Sequence, residues 1–491
     1  MIASTESIAP QPPATPRKIG LISLGCAKNL VDAEILLGDA ARHGYTLTTE
    51  TDDADVVLVN TCGFIDPAKE ESIGAILEAH RRRLHGAKAG QKLVVGGCLS
   101  QRYSSDLATQ LPEVDAFLGL DEIKNAGAFF DRLLSDDHDA SAPLVEVSRR
   151  AAYIPDYDTP RVRLTASHTA YVKIAEGCNH PCSFCVIPRM RGRHRSRTIE
   201  SVVREVEGLV ASGVMEINLI SQDTTYYGMD LWVEKAGPRQ PVDAARGPGL
   251  PALLDALGAI PGEFWIRLLY THPAHWSDDM IAAIARNPKV ARYVDMPLQH
   301  IHDVMLDSMR RETDRGHIER LIDRMRAGIP GLTIRTTFIV GFPGETEEHF
   351  ESLLEFMRQT RFERLGVFNY SREEESRAAK LPGQIHGGTK KRRQREAMLV
   401  QQQIAAELAS SHLGQELIVL ADTALLGRTE GDAPDVDCRV HFTKSVQPGL
   451  FHRVKVTGTR GYDLEAEPIK KNAEPIEVKA EPIDRGAKQL G

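Results

Sequence analysis

The sequence lacks any run of about 18 apolar residues, which argues against a membrane-spanning helix. It also lacks a signal peptide, because Met1 to Pro16 have neither a basic start nor an apolar middle; their Pro, Ser and Thr content predicts a disordered tail. The phosphate-binding patterns G-x-G-x-x-G and G-x4-G-K-S/T are absent too. These absences argue against a secreted protein, a membrane protein and an enzyme with one of the common phosphate-binding loops.

The composition is that of an ordinary globular protein. The chain has 491 residues, of which 42% are hydrophobic and 26% are charged, and this length predicts roughly three domains. A net charge of -8 gives no global attraction to nucleic acid, although local basic patches can still exist. Seven cysteines without a secretory signal predict a reducing cytoplasm, with metal ligation favoured over disulfides.

Three of the cysteines form a compact motif, which we call the central triad: Cys178, Cys182 and Cys185. Their spacing is C-x3-C-x2-C, in a loop after the apolar strand Tyr171 to Ala175. A closed zinc or ferredoxin-type site normally takes four protein ligands, whereas three ligands leave one metal position open for a substrate. The motif favours an iron-sulfur cluster that binds S-adenosylmethionine at one iron, while a zinc knuckle and three unrelated thiols remain as alternatives.

A second set of cysteines, the amino-terminal triad, comprises Cys26, Cys62 and Cys98, which are each 36 residues apart. Each follows an apolar strand and precedes a helical pattern; the strands are predicted at Ile19–Leu24, Val56–Val59 and Leu93–Val95. Repeated strand-helix units predict a parallel sheet, whose ligand site lies beyond the carboxyl ends of its strands. A single cysteine there is more often a small buried hydrophobic residue, but three in register favour a second three-thiolate site.

The central part of the chain alternates strands with helices. Strands are predicted at Tyr171–Ala175, Glu216–Ile220, Trp265–Tyr270, Tyr293–Met296, Ile334–Val340 and Gly366–Tyr370, and helices at Ile199–Ala211, Asp278–Arg286 and Thr346–Gln359. Six such units predict an incomplete TIM-like (β/α)6 barrel with its functional loops at the strand carboxyl ends. The Pro- and Gly-rich piece Trp232 to Gly249 is predicted to be an excursion between the second strand and its helix.

Polar residues follow four of these strands, in runs that begin at Ser221, Thr271, Gln299 and Gly341. Together they predict a polar pocket for a zwitterionic nucleoside. We take Phe184, Gln222, Gly341 and Glu345 as candidates for the S-adenosylmethionine pocket.

Two basic runs leave alternatives open. Alternate residues after the central triad are arginines, namely Arg189, Arg191, Arg193, Arg195 and Arg197, which form either a solvated loop or a lid over an anionic group. The run Lys390 to Arg395 begins a long polar helix and is interpreted as a solvated face.

Beyond His412 short strands predict a small all-β barrel. They are expected at Leu417–Leu420, Ala424–Gly427, Arg439–Phe442, Phe451–Thr457 and Asp463–Glu465. Between Ser411 and Ile469 six basic and nine acidic residues give a local charge of -3, unlike a domain that grips RNA phosphates. Cys438 is interpreted as a structural or incidental thiol, and the tail with three Ala-Glu-Pro-Ile repeats as disordered.

These features together resemble the radical S-adenosylmethionine methylthiotransferases. The aromatic Phe184 before the last cysteine of the central triad is typical of that superfamily. The run Ser23 to Asp32, Gly427-Arg428-Thr429 and Asp432 to Asp435 are similar to the branch that modifies ribosomal protein uS12; the tRNA branch usually has a Gln-Met-Asn run at the first position. The domains expected are a 17–127 amino-terminal domain, a 128–163 linker, a 164–402 radical core and a 405–470 TRAM (OB-like) barrel, with tails at 1–16 and 471–491.

The resemblance implies methylthiolation of the β-carbon of an aspartate of ribosomal protein uS12. It implies two 4Fe-4S clusters, one on each triad, and S-adenosylmethionine as cofactors. The expected partners are uS12, free or in the ribosomal subunit, an electron donor such as flavodoxin or ferredoxin, and a sulfur source, with no membrane. The alternatives are a tRNA methylthiotransferase and a non-catalytic iron-sulfur electron carrier, although a carrier normally closes its clusters with four cysteines.

Overall fold

The computed structural model describes residues 16–137, 141–237 and 239–469. The two predicted tails lie almost wholly outside these residues. The remainder forms two parallel sheets flanked by helices, followed by a small closed barrel. None of the helices described is both long enough and apolar enough to cross a membrane.

The amino-terminal sheet has six parallel strands in the order β2-β1-β3-β4-β5-β6. Its strands are β1 (Lys18–Ser23), β2 (Thr46–Thr48), β3 (Val56–Thr61), β4 (Lys92–Gly97), β5 (Ala116–Leu118) and β6 (Leu144–Glu146). Strand β3 is buried on both faces, as expected of a central parallel strand rich in valine. The predicted parallel α/β architecture is confirmed.

The helices of this part are α1 (Ala27–Arg42), α2 (Asp66–Leu84), α3 (Cys98–Gln110) and α4 (Ala126–Leu133). The third begins at Cys98, because Gly97, at φ +90°, turns the chain directly from β4 into the helix. The segment predicted as a linker also contributes β6, a three-residue edge strand paired with β5. A strand that short carries no readable alternation in the sequence.

The central sheet is also fully parallel, in the order β14-β13-β12-β11-β10-β7. Its strands are β7 (Thr169–Lys173), β10 (Glu216–Ile220), β11 (Trp265–Leu268), β12 (Val290–Asp295), β13 (Thr333–Val340) and β14 (Arg364–Asn369). A two-stranded ribbon, β8 (Ala175–Glu176) and β9 (Arg195–Ser196), brackets the loop of the central triad. The six predicted strands are present, each shifted by no more than a few residues.

Helices cover the outer face of this sheet and bury the largest apolar core of the described chain against it. The helices of the central part are α5 (Ile187–Met190), α6 (Ile199–Ala211), α7 (Leu250–Gly258), α8 (Asp278–Arg286), α9 (Asp303–Ser308), α10 (Arg315–Gly328), α11 (Glu347–Thr360) and α12 (Gly387–Ser411), of which α5 lies outside this core. Short 3₁₀ helices lie at Thr51–Asp53, Glu122–Asn125, Thr224–Tyr226, Pro273–His275 and Ala378–Lys380. The excursion that contains Trp232 lies between β10 and α7, where the sequence predicts it.

The carboxyl-terminal part is a closed five-stranded barrel in the order β15-β16-β17-β19-β18. Its strands are β15 (Glu416–Ala421), β16 (Leu426–Thr429), β17 (Val440–Phe442), β18 (Phe451–Arg460) and β19 (Asp463–Pro468). Small and branched side chains such as Val419, Val454 and Ala466 fill its interior. The predicted all-β barrel is confirmed.

A buried ion cluster fixes this barrel to the central sheet. Glu216 of β10 is fully buried and accepts hydrogen bonds from Arg428 of β16 at 2.8 and 3.0 Å and from Arg267 of β11 at 2.9 Å. Burial would raise the pKa of Glu216, but the two guanidinium groups lower it to about 2. Beside this cluster the rings of Trp265 and Phe451 pack with their centroids 4.6 Å apart.

We expect Glu216→Ala to destabilise the protein by about 3–5 kcal/mol, because it leaves two buried cations without their counter-ion. Differential scanning calorimetry would show this as a lower unfolding temperature. The loss in free energy of unfolding should have its full size at pH values above the ordinary glutamate pKa of 4.5. It should shrink toward pH 2, where Glu216 itself becomes protonated in the folded parent protein. Glu263→Ala, at an exposed carboxylate before β11, is the matched control; an equal loss in both variants would contradict the prediction.

Candidate active site

All six cysteines of the two triads line one cavity of about 330 Å³. The cavity lies between the carboxyl ends of the strands of the amino-terminal sheet and those of the central sheet. The seventh cysteine, Cys438, lies in the barrel part of the chain. It lines a separate pocket that Arg364 of β14 also lines. Two motifs about 80 residues or more apart in sequence are therefore brought to the same place by the packing of two sheets.

The amino-terminal triad is presented by three successive strand-to-helix turns. Cys26 caps α1, Cys62 directly follows β3, and Cys98 is the first residue of α3. Gly63 makes this close packing possible, since a Cβ there would lie 2.8 Å from Cα of Leu99. The regular spacing of the cysteines along the chain thus becomes adjacency at one sheet edge.

The loop of the central triad is held mainly by backbone hydrogen bonds. The amide of His180 donates to Cys178 Sγ at 3.4 Å, and the amide of Ile187 donates to Cys185 Sγ at 3.5 Å. Such N–H···S contacts stabilise thiolate and cluster charge. The guanidinium of Arg311 donates to Cys182 Sγ at 3.5 Å, so each sulfur of the central triad has a hydrogen-bond donor.

Arg191 joins the amino-terminal triad to β8, the strand that precedes the loop of the central triad. This buried side chain donates to Cys98 Sγ at 3.1 Å, to Asp32 of α1 at 2.9 Å and to Glu176 of β8 at 3.1 Å. Lys173 of β7 forms ion pairs with the same two carboxylates. The charges of these two cations and two carboxylates balance one another, and the cluster joins the two sheets directly behind the cavity.

Burial shapes the acidity of these thiols. It raises the pKa of Cys98 and of Cys185 to about 12, so these thiols ionise at neutral pH only beside a strong positive charge such as a metal. The side chain of Cys26 is exposed. Desolvation of its thiol acts to raise the pKa, but the nearby cations Lys28 and Arg191 outweigh this effect and lower the pKa. The two triads therefore suit a cationic inorganic group.

The spacing of the thiols argues against zinc. Among the described residues, one group of three possible metal ligands has its donor atoms within 4.8 Å of one another, namely the ring nitrogens of His180, His272 and His275. The three sulfur atoms of each cysteine triad therefore do not all lie that close together. A tetrahedral zinc ion with Zn–S bonds of about 2.3 Å needs sulfur atoms roughly 3.8 Å apart. A cluster in which each thiolate binds a different iron spans a larger triangle and fits these sites better.

Three comparisons place the chain among known proteins. Family models match the "Uncharacterized protein family UPF0004" at residues 18–119, the "Radical SAM superfamily" at 172–357 and the "TRAM domain" at 413–469. The ribosomal protein uS12 methylthiotransferase RimO of Opitutus terrae is 56% identical over 92% of this chain and 96% of its own length. The chain belongs to this methylthiotransferase family.

Other comparisons agree. The RimO protein of Akkermansia muciniphila is 52% identical over 92% of this chain and its full length. Among solved structures, the radical S-adenosylmethionine methyltransferase TsrM of Kitasatospora setae is similar, with a TM-score of 0.52, 16% identity and 72% of each chain covered. That structural likeness shows the fold alone. Family membership makes this protein a transferase that uses an iron-sulfur cluster and S-adenosylmethionine.

The four residues proposed for the S-adenosylmethionine pocket fall into two groups. Phe184 and Gln222 line the cavity of the methylthiotransferase. Gly341 and Glu345 do not; the Glu345 carboxylate accepts hydrogen bonds from the Gly341 amide and from Arg393 of α12, at 2.7 Å for the latter. Arg393 is buried by this contact, so the polar run at the start of α12 is not wholly the solvated face that its sequence predicts.

Several cavity residues carry weak or no sequence signal. Lys28 lies over the Tyr270 ring, with its Nζ 2.7 Å from the ring centroid, and burial lowers the pKa of Lys28 to about 8. Arg311 follows α9 in a stretch that no motif marks. The sequence did offer one signal for Lys28, which is its position two residues after Cys26. A cation beside a thiol favours ionisation of that thiol.

A histidine inside the central loop is fixed by two carboxylates. His180 bonds Asp223 through Nε2 at 2.7 Å and Glu312 through Nδ1 at 3.1 Å, and its ring stacks on His272. Burial acts to lower the pKa of His180, but the two carboxylates raise it to about 10. Both ring nitrogens are thus engaged with carboxylates. This charge pairing accounts for the position of His180 and anchors the loop of the central triad.

The alternating arginines after that loop do not share one environment. Arg191 and Arg197 are buried, Arg195 is partly buried, and Arg189 and Arg193 are exposed. Neither a uniformly solvated loop nor a single lid describes them. Arg189 lies in α5 and Arg195 in β9, whereas the other three lie outside both elements, so the run does not share one regular element.

Proposed function

We propose that this enzyme methylthiolates the β-carbon of an aspartate in ribosomal protein uS12, using two 4Fe-4S clusters. The single observation that carries the proposal is the convergence of two three-cysteine sites on one cavity. The relatives of this chain are uS12 methylthiotransferases, which supports uS12 as the substrate. Because both sites require reduced thiols, a reducing compartment such as the cytoplasm suits the proposed reaction.

In this proposal Cys178, Cys182 and Cys185 hold the first cluster, and Cys26, Cys62 and Cys98 hold the second. When bound, the cofactors supply radical cleavage of S-adenosylmethionine and the sulfur to be transferred, which is chemistry that no side chain can perform on an unactivated C–H bond. The protein positions them, and three thiols at each site leave one iron free for another ligand. Arg191 bonds both Cys98 and Glu176, and so ties the amino-terminal triad to the strand that precedes the central loop.

The cavity wall supports binding of S-adenosylmethionine. Gln222 Oε1, His272 Nε2 and Arg311 Nε are buried polar atoms without a hydrogen-bond partner among the described residues, and all three side chains line the cavity. Buried polar atoms of this kind are costly unless a ligand satisfies them. Apolar residues such as Phe184 and Met190 form other parts of the wall and exclude water from a reactive intermediate.

Lys28 is our candidate for holding the target carboxylate. Its side chain lines the cavity, with the ammonium group over the ring of Tyr270, which also lines the cavity. Among the described residues Lys28 forms no ion pair with a carboxylate, in contrast to Arg191. An aspartate side chain entering between the two triads would meet this cation. The β-carbon is directly bonded to the carboxyl carbon, so fixing the carboxylate fixes the reacting carbon.

We expect Lys28→Met to lower methylthiolation about 10- to 100-fold, the loss of one charge-assisted hydrogen bond of about 1.5–3 kcal/mol. Iron content should equal that of the parent enzyme, and 5'-deoxyadenosine should still form. Mass spectrometry of uS12 and chromatography of the nucleoside measure the two products. Lys18→Met, at an exposed lysine of β1, is the control; a parallel loss of iron in Lys28→Met would show that Lys28 supports the cluster instead.

The experiment that tests the proposed function is the intact mass of uS12 after incubation with reconstituted enzyme, dithionite, sulfide and S-adenosylmethionine without oxygen. A gain of about 46 daltons on one aspartate, the mass of SCH2, supports both substrate and chemistry. If 5'-deoxyadenosine accumulates while uS12 is unchanged, the radical chemistry stands but the substrate assignment fails, and tRNA is tested next.

A further inference from the structure

A surface groove of about 880 Å³ lies outside the cysteine cavity, and we call it the arginine groove. Its charged lining residues are Arg149, Arg150, Arg189, Arg193, Arg195 and Glu375. It forms where the segment after β6 of the amino-terminal sheet meets the segment after α5 of the central part. Five cations facing one carboxylate give this groove a strong positive charge.

The positive charge is largely uncompensated. Glu375 pairs with Arg189 at 3.8 Å and with Arg102 at 3.3 Å. Arg149, Arg150 and Arg193 are exposed, and within the part of the chain that the structure describes they pair with no carboxylate. Exposed cations concentrated in a concave surface raise the local concentration of an anionic partner.

The floor of the groove touches the loop of the central triad. Gly192 lines the groove, and its carbonyl accepts a hydrogen bond from the Cys178 amide at 3.1 Å. Pro188 and Arg189, also in the lining, follow Cys185 by only three and four residues. A partner seated here would contact a segment whose backbone is hydrogen-bonded to the first cysteine of the central triad.

We propose that the arginine groove docks a small acidic electron-transfer protein that reduces the cluster held by the central triad. This inference rests on the proposed function, in which each S-adenosylmethionine cleavage consumes one electron delivered to that cluster. The reduced cofactor of the donor loses one electron and the cluster gains it, with no atom transferred. Electron-transfer complexes are typically small and transient, and charge complementarity governs their rate of association.

The net charge of the whole chain favours this assignment. At -8 overall, the protein repels an acidic partner over most of its surface and attracts it at the groove, which orients the encounter. An RNA segment is the rival anionic occupant. The position of the groove, against the cluster loop and outside the cavity that admits substrate, favours an electron donor.

The test uses the holoenzyme and a charge-reversed variant, Arg149→Glu with Arg150→Glu, with Arg193→Glu as a second variant. The probe is flavodoxin reduced to its hydroquinone, whose binding is followed by fluorescence anisotropy and whose oxidation is followed by stopped flow. We expect the affinity for flavodoxin and the association rate to fall at least about tenfold, and the salt dependence of both to weaken.

Two controls accompany this measurement. Formation of 5'-deoxyadenosine with dithionite should match that of the parent. Arg81→Glu with Arg82→Glu, on the exposed face of α2, is the control.

Unchanged flavodoxin binding in both groove variants overturns the proposal. Equal losses of activity with flavodoxin and with dithionite also overturn the proposal, because the groove would then serve the substrate. A loss of affinity for the ribosomal subunit alone would overturn it for the same reason. Failure of the proposed function has a different signature: the parent enzyme would give no modified uS12 even with dithionite. The binding measurement with flavodoxin does not depend on that result.

Discussion

Cys182→Ala should abolish both 5'-deoxyadenosine formation and uS12 methylthiolation. With one of three ligands removed, the central triad cannot hold a cluster with a single free iron. Iron content should fall by about half, because the amino-terminal triad keeps its own cluster. Iron analysis, nucleoside chromatography and intact mass of uS12 give the three readouts.

The chain offers its own control for this experiment. Cys438 is a partly buried cysteine outside the cavity, and burial raises its pKa to about 12, so it is an unreactive thiol. Cys438→Ala should therefore keep iron content and both activities at the parent level. A Cys182→Ala enzyme with full modifying activity would refute the radical assignment of the central triad.

Cys62→Ala and Cys98→Ala should separate the two halves of the reaction. Each variant retains the central triad, so 5'-deoxyadenosine should still form, but the methylthio product should be lost along with about half of the iron. Cys62 is the cleaner site, because Cys98 also accepts a hydrogen bond from Arg191. Arg191 keeps Asp32 and Glu176 as partners in either variant, which preserves the join between the sheets.

The opposite pattern would contradict a role for the amino-terminal triad in sulfur transfer. If Cys62→Ala enzyme still added about 46 daltons to uS12 at the parent rate, the sulfur would have to come from elsewhere. If it instead lost 5'-deoxyadenosine formation while keeping half of its iron, the assignments of the two triads would have to be exchanged. Absorption spectra of the reconstituted variants would show which cluster remains.

The sequence alone determined the order of secondary structure and the two cysteine motifs. Helices such as Ile199–Ala211 and Asp278–Arg286 occur at the predicted residues, because their amphipathic periodicity and capping residues are local signals. The strands of the central sheet were equally readable as apolar runs between helices. The short strands β2, β5 and β6 were missed, because three residues carry no periodicity.

Only the tertiary structure decided which residues share the cavity. Spacing in the sequence suggested each triad, but the packing of one sheet against the other set both on the same cavity and put Arg191 between them. The same packing brought Lys28 and Arg311 to the wall and left Glu345 bonded to Arg393 elsewhere. Local sequence specifies strands and turns, whereas contacts between distant segments depend on side-chain burial and charge pairing across the interface, which no local pattern records.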